Sequence, residues 1–466
     1  MSQVMHYPEL MVCVLAAGKG KRMRSSLPKV LHPVLGKAML EHVLHTVEEL
    51  RPHKIAVVTG DGSDKVRAHI GDLANLEWVI QDKQLGTGHA VRQCESVCTD
   101  VEDVMIVCGD TPLLRCETLD ALARHHRESG AKVTFLSAVL DDPFGYGRVL
   151  RDRDGNIVGI VEERDATDEQ KAIREVTSGI YCVKQDVLFT LLAKVGNRNA
   201  QGEYYLPDIV PLALDAGMNV QAVHMNDVRE IVGVNNRKQL AEAEAILQQR
   251  IIEDWQLSGV TIEQPHTVRI EASVRIGMDT VIRAGTQLLG STVIGDECCV
   301  GPYAVIDNCW IDDAVQVHAF SHLQDASVGS DGRIGPFARL RPEAQLDSKV
   351  HVGNFVEIKK AVVGEGSKIN HLTYIGDATV GAGCNIGAGT ITCNYDGANK
   401  HQTIIGDDVF VGSNTKFIAP VRVGDGATIG ADSIITRDVS PGGLTLSARP
   451  DQRHLPNWRR PRKKGG

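Results

Sequence analysis

"VRIEASVRIGMDTVIRAGTQLLGSTVIGDECCVGPYAVI", residues 268–306, places an aliphatic side chain at Ile270, Ile276, Ile282, Leu288, Ile294, Val300 and Ile306, one every six positions. Six is neither the 3.6 of a helix nor the 2 of a simple strand. It is the period of a solenoid in which one aliphatic per short strand points to the axis of a parallel β-helix. The pattern resumes through Ile334, Leu340, Leu346, Val352 and Ile358, and again through Ile405, Val411, Phe417, Val423, Ile429 and Ile435. Glycine often follows the aliphatic, as in "RIGMD", "VIGDE" and "RVGDG", where the chain must turn a corner.

Upstream of about residue 260 the pattern changes. Apolar runs "MVCVLAA" (11–17), "KIAVVTG" (54–60), "DVMIVCGD" (103–110) and "KVTFLSAVL" (132–140) alternate with helical stretches at 38–50 and 117–129. This is a βαβ order, so a mostly parallel sheet flanked by helices is expected, with ligands beyond the carboxyl ends of its strands. Between the halves, Leu240, Ala243, Leu247, Ile251 and Trp255 share one helical face that Gly259 stops. The reading is therefore three segments: residues 1–237, a helical linker at 238–258, and 259–466.

At 466 residues with 42% hydrophobic and 23% charged, the chain has the balance of a multi-domain globular protein. Fifty Lys+Arg against 59 Asp+Glu, a formal charge of −9, argue against a general nucleic-acid binder. Eleven cysteines without CxxC spacing read as reduced thiols in a cytoplasmic protein rather than as a disulfide or zinc framework. The opening residues carry no apolar leader, and no early apolar run approaches the ~18 residues of a membrane span.

Two stretches carry chemistry. "VLAAGKGKRM" (14–23) is a strand breaking into a glycine turn with Lys19, Lys21, Arg22 and Arg24, and Lys29 follows Pro28. Neither GxxxxGK[ST] nor GxGxxG fits, since Met23 stands where the third glycine belongs. Exposed amides beside cations nevertheless suit a triphosphate, although a solvated basic loop remains open. In the second half, Thr390 to Thr403 interrupts the period and is expected to be an exposed binding loop. Four histidines lie near it, His318, His322, His351 and His371, and an imidazole titrates close enough to neutrality to serve as a base. Cys384 and Cys393 raise an acyl-cysteine relay, but neither has an activating partner in sequence.

"LAAGKGKRM", "LPKVLHPVLGKAM", "QLGTGHA", "GDTPLL", "GYGRV", "GIVEERDAT", "QGEYYLPDI" and "GVNNRKQL", in this order, resemble the bacterial bifunctional N-acetylglucosamine-1-phosphate uridyltransferase/glucosamine-1-phosphate N-acetyltransferase family, and the resemblance covers essentially the whole chain. It implies an α/β chain with a Rossmann-like nucleotidyltransferase domain and a left-handed parallel β-helix. It also implies a homotrimer that acetylates glucosamine 1-phosphate from acetyl-CoA. The product, N-acetylglucosamine 1-phosphate, is then joined to UTP with Mg²⁺, giving UDP-N-acetylglucosamine for peptidoglycan and lipopolysaccharide synthesis.

By that resemblance Leu15, Ala16, Ala17, Gly18, Cys108 and Gly109 would approach the nucleotide, and Arg22 and Lys29 would neutralise the triphosphate. Gln81, Gly86 and Thr87 would read uracil. Asp110 and Asn235 would hold Mg²⁺, an oxygen pair suited to this hard ion. Gly147, Glu162 and Thr177 would line the sugar subsite. In the second domain His371 would be general base, with Arg341, Lys359, Tyr374 and Asn385 around the sugar phosphate. Ala388, Asn394, Tyr395, Ser413, Ala431 and Arg449 would line the acetyl-CoA channel.

Three positions depart from the family pattern: Cys108 replaces an aromatic, Thr177 replaces Asn, and "SARP" puts Ala448 where Arg is usual, with Arg449 one place later. The basic tail "WRRPRKKGG" could meet coenzyme phosphates or stay solvated. A non-catalytic subunit of the same architecture, or a transferase for another sugar, stays open; Lys29, Asp110 and Asn235 together weigh against the first and Gln81 against the second.

Overall fold

The computed structural model describes residues 6–72, 75–448, 452 and 454–458, in two compact units, Met1–Arg250 and Ile251–Gly466. Arg449 lies outside the described residues, as does most of the basic tail.

In the first unit the sheet runs, edge to edge, Val220–His224, Val133–Val139, Glu175–Lys184, Asp103–Cys108, Tyr7–Leu15, Pro52–Thr59 and Leu76–Ile80. Tyr7–Leu15 is parallel to both neighbours, whereas Glu175–Lys184 runs antiparallel to Asp103–Cys108 and Val133–Val139. Strands in such a sheet are near-continuous apolar runs because both faces are covered. Leu10, Val12 and Val14 pack under helices Met39–Glu49 and Cys116–Glu128, while Met11 and Cys13 face Thr87–Arg92 and Gln185–Leu192. Leu15 therefore ends a strand that is buried from Leu10 to Val14, at the sheet's carboxyl edge.

The helix Arg237–Leu257 spans the expected linker. In the first unit Leu240, Ala243, Ile246 and Leu247 meet Met23, Val34, Met39 and Leu113. Ile252 belongs to the core of the second unit, with Ile251 and Trp255 partly buried against it.

That second unit is a three-faced coil of parallel two- to seven-residue strands, and every aliphatic of the period-six runs lies in its core. Equivalent residues stack as Ile282, Val300, Val317, Ile334, Val352, Ile369 and Ile386, at intervals of 18 or 17 residues. The shortened coils explain why the period slips near residue 306. From Ile386 the next partner is Val411, 25 residues on, so the extra chain sits within that coil. The expected loop Thr390–Thr403 is narrower than the sequence reading: Ile391–Cys393 and Thr403–Ile405 are strands, and Thr390, Thr392 and Thr403 are buried. Threonine reads as a surface residue, but the Thr390 hydroxyl donates to the Gly387 carbonyl at 2.7 Å, which satisfies it inside the coil. Only 394–402 leaves the coil, as a small hairpin closed between Tyr395 and Lys400.

Candidate functional sites

A cleft of about 470 Å³ opens at the carboxyl edge of the first unit's sheet. It brings together Leu15, Ala16, Ala17 and Gly18 with Lys29, Gln81, Gly86, Thr87, Cys108 and Asp110. Backbone bonds set the floor: Ala16 N–H reaches the Val58 carbonyl at 2.8 Å and Gly109 N–H the Leu15 carbonyl at 2.9 Å. Arg22 stands exposed on the short turn Lys21–Met23, outside this lining, whereas Lys19 lies within it.

The Lys29 ammonium bridges Asp110 Oδ2 and Asn235 Oδ1, the latter at 2.9 Å. Asn235 is held for this by its own N–H, which donates to Gln239 Oε1 at 2.9 Å, and Val234 N–H donates to the Asp110 carbonyl at 3.0 Å. A cation thus already sits where two hard oxygens converge, and such a donor pair with open positions fits Mg²⁺ held jointly with phosphates and water. Among the described residues no group of three or more His, Cys, Asp or Glu could hold a metal alone.

The segment that carries Gly86 and Thr87 is stitched to a distant loop. Gly86 has φ +112°, and a Cβ on it would lie 2.5 Å from the Tyr204 carbonyl oxygen, so only glycine fits. Gly88 N–H donates to that carbonyl at 2.8 Å, and Leu206 N–H donates to the Thr87 hydroxyl at 3.0 Å. Gln84 and Glu203 also line the cleft and escaped the sequence reading. Gln84 Nε2 donates to the Ala17 carbonyl at 2.7 Å, a contact between segments that no local period announces.

Gly147, Glu162 and Thr177 form one neighbourhood. Thr177 N–H donates to the Gly147 carbonyl at 2.9 Å, and a Cβ on Gly147 would fall 3.4 Å from Glu162 Oε1. The Thr177 hydroxyl lies 3.3 Å from the Tyr181 hydroxyl and accepts from Gly179 N–H, so this departure is internally bonded. Burial, with Asp110 adding repulsion, pushes the Cys108 thiol up to about 12, so it stays protonated.

Burial, then Asp208 and Asp165, raises Glu162 from 4.5 to about 6. The native state therefore retains a proton that the unfolded chain releases, and stability falls as pH rises through that window. Glu162→Gln is expected to raise stability at pH 8 by up to about 2 kcal/mol and to leave it nearly unchanged at pH 4. Urea unfolding at the two pH values checks this; equal shifts at both would contradict it.

In the coil, corner residues of successive turns share one edge. Leu372 N–H bonds the Asn354 carbonyl, Gly389 N–H that of His371, Asn414 N–H that of Ala388, and Asp432 N–H that of Ser413. Asn354, His371, Ala388, Ser413 and Ala431 thus form a column of mainly small side chains. A Cβ on Gly412 would lie 2.4 Å from Ala431 N, which shows how closely the turns approach. His371 Nδ1 lies 2.8 Å from Asn354 Oδ1. An amide oxygen only accepts, so Nδ1 carries the proton and Nε2 is the free base.

Arg341, Lys359 and Tyr374 belong to adjoining rungs of the neighbouring face, while Asn385 sits on the rung leading to the Ala388 corner. Arg341 donates to Glu357 at 2.8 Å. Lys400, at the root of the hairpin and missed in sequence, comes within hydrogen-bond reach of Lys359. That contact, with Arg341 adding to the repulsion, holds the Lys359 ammonium below the usual lysine range. Arg341, Lys359 and Lys400 thus gather on one face with Glu357 and Asp377 as the carboxylates beside them, and such a cluster of cations suits a phosphate. Asn394 donates to Asp377, and Tyr395 is exposed with its hydroxyl donating to the Gly397 carbonyl at 2.6 Å. The Cys384 thiol is buried within the coil and donates to the Gly406 carbonyl at 3.0 Å, and burial raises it further, which disfavours an acyl relay through it.

Comparison with known proteins agrees with this division. Residues 12–163 match the MobA-like NTP transferase domain, and 273–308 and 402–437 match the bacterial transferase hexapeptide (six repeats). Over 97% of this chain and 99% of the relative, the sequence is 48% identical to the bifunctional protein GlmU of Marinobacter nauticus. It is 50% identical to that of Heliobacterium modesticaldum over 93% and 94% of the two chains, and 47% identical to that of Listeria monocytogenes over the same shares.

Proposed function

Because the chain belongs to the family of bifunctional GlmU proteins, we propose that its two units divide the two transfers of UDP-N-acetylglucosamine synthesis, each on the site described above. It is a bifunctional enzyme, at once a nucleotidyltransferase and an acyltransferase. The observation that carries the assignment of sites is the convergence of Lys29, Gln81 and Asp110 on one cleft and of His371 with Ala388 and Ser413 on one coil edge.

In the coil, glucosamine 1-phosphate seats its phosphate among Arg341, Lys359 and Lys400, with Tyr374 and Asn385 beside the sugar. Its ammonium must lose a proton before the amine can attack the acetyl-CoA thioester. His371 Nε2 takes that proton, while Asn354 keeps Nδ1–H in place and steadies the imidazolium that forms. The Ser413 hydroxyl donates to the thioester oxygen as charge builds there, a role supported by its place two turns along the edge from His371. Ala388 and Ala431 leave room along the column for a slender acyl chain, with Asn394 and Tyr395 at its side.

In the cleft, the phosphate of N-acetylglucosamine 1-phosphate attacks the α-phosphorus of UTP and pyrophosphate leaves, so no protein nucleophile is required. Gln81 and Gly86 hold the base, and Lys29 and Lys19 face the triphosphate, with Arg22 on the adjoining turn. Gly147, Glu162 and Thr177 serve the sugar. Asp110 and Asn235 would hold Mg²⁺, which when bound supplies charge neutralisation between the phosphates.

The coil's outer corner carries Tyr303, Phe320, Phe337 and Phe355, each about half exposed and stacked at 5.1–5.4 Å. This apolar ladder supports the homotrimer that the hexapeptide family suggests. No described helix is long and apolar enough to cross a membrane, and we place the enzyme in the cytoplasm, feeding cell-wall precursors.

The test is direct. Incubated with glucosamine 1-phosphate, acetyl-CoA, UTP and Mg²⁺, the protein is expected to release free thiol first and pyrophosphate after it. Pyrophosphate without thiol, when only glucosamine 1-phosphate is supplied, would overturn the order of the two steps.

A further inference from the structure

The Gln81 side chain is buried beneath the cleft, and both of its amide hydrogens are already used. Nε2 lies 3.1 Å from the Gly86 carbonyl and 2.9 Å from His89 Nδ1. The Gly86 carbonyl accepts only, which sets the amide nitrogen on that side. His89 stands two residues beyond Thr87 in helix Thr87–Arg92, and burial, with Arg92 adding repulsion, lowers it from the ordinary histidine range. The uncharged ring accepts at one nitrogen only: Gln93 Nε2, 3.4 Å from His89 Nε2, donates instead to the His89 carbonyl at 3.0 Å, which leaves Nδ1 to accept from the nearer Gln81 amide. Gln81 Oε1, by contrast, accepts no hydrogen bond from the described residues.

From this geometry we infer that His89 is a positioning residue which locks the Gln81 amide with its oxygen toward the cleft, and so sets the preference for uracil over cytosine. The inference rests on the reading that Gln81 contacts the base. With the nitrogen occupied, Gln81 can only accept at the base edge. Uracil offers N3–H there and an O4 acceptor to the Gly86 N–H. Cytosine opposes Oε1 with the N3 lone pair and the Gly86 N–H with an amino group, two mismatches in a buried site. Without the imidazole acceptor, the bond to Gly86 alone opposes a flip of the amide, and a flipped amide presents N–H to cytosine N3.

The readout is the ratio of kcat/KM for UTP to that for CTP, measured with N-acetylglucosamine 1-phosphate and Mg²⁺. A ratio within one variant does not depend on how much of that variant folds. His89→Leu is expected to lower it at least about tenfold, the scale of one net hydrogen bond. His89→Asn, whose amide oxygen can stand where Nδ1 stands, is expected to restore most of it. An unchanged ratio in His89→Leu, even with both rates reduced, overturns the inference, as does a loss that His89→Asn fails to rescue. Gln81→Leu separates the two readings. If it keeps the wild-type ratio, Gln81 does not read the base. If it erases the ratio while His89→Leu retains it, only the role of His89 falls.

Discussion

His371→Ala is expected to lower acetyl transfer by about 10²–10⁴-fold while uridylyl transfer to supplied N-acetylglucosamine 1-phosphate stays within about twofold. The magnitude follows from the task. An ammonium must be deprotonated at neutral pH next to a thioester, and the His371 imidazole is held for that by Asn354 at 2.8 Å. The side chain is exposed at a corner of the coil, so its removal leaves no cavity and the coil core of Ile369 and Ile386 is untouched. Thiol release and pyrophosphate release, assayed separately on the same preparation, check it. Loss of both activities in a folded variant would show that the sites are not independent. Rescue of thiol release at high pH would further mark the residue as a base, because free amine then becomes abundant without it.

Asp110→Asn is expected to do the reverse, lowering pyrophosphate release by at least about 10²-fold with acetyl transfer unchanged. The shape of the side chain is kept but the charge is not. Asp110 Oδ2 and Asn235 Oδ1 converge on a cation, and a neutral pair holds a hard divalent ion poorly. The same change leaves the Lys29 ammonium, largely shielded from solvent, without its counter-charge. The loss is therefore expected to shrink when Mg²⁺ is raised well above its working range. Titration of pyrophosphate release against Mg²⁺ distinguishes the two effects: a shift of the half-saturating concentration belongs to metal binding, and a lowered plateau to the phosphate geometry. An Asp110→Asn enzyme with wild-type rate and Mg²⁺ dependence would remove this residue from the site.

Both of these positions were legible as residue types before any fold was known, but for unequal reasons. Asp110 was singled out by resemblance too, but its place after an apolar run that reads as a buried strand agrees with it, because ligands bind at the carboxyl ends of such strands. His371 is one of 17 histidines, and resemblance rather than pattern singled it out. Gln84, Glu203, His89 and Lys400 were not found. Gln84 and Glu203 meet segments far off in sequence, His89 meets Gln81 across a turn that no local period announces, and Lys400 stands at a hairpin root that period counting treats only as an interruption. The loop itself was drawn too wide because buried threonines look like surface residues until hydroxyls such as those of Thr390 and Thr392 are seen to bond the coil backbone.

What the sequence determined by itself was the repeat and the alternation, because both are local. An aliphatic every six residues must point inward whatever else the chain does, and a run such as "MVCVLAA" must be buried on both faces. Only the tertiary structure decided which side chains meet. The column Asn354, His371, Ala388, Ser413 and Ala431 is spaced by 17, 17, 25 and 18 residues, intervals that share no period but close one turn of the coil each. Hydrogen bonds between successive turns absorb the unequal lengths and return the backbone to the same edge, and that return, not the sequence spacing, aligns His371 with Ala388, Ser413 and Ala431.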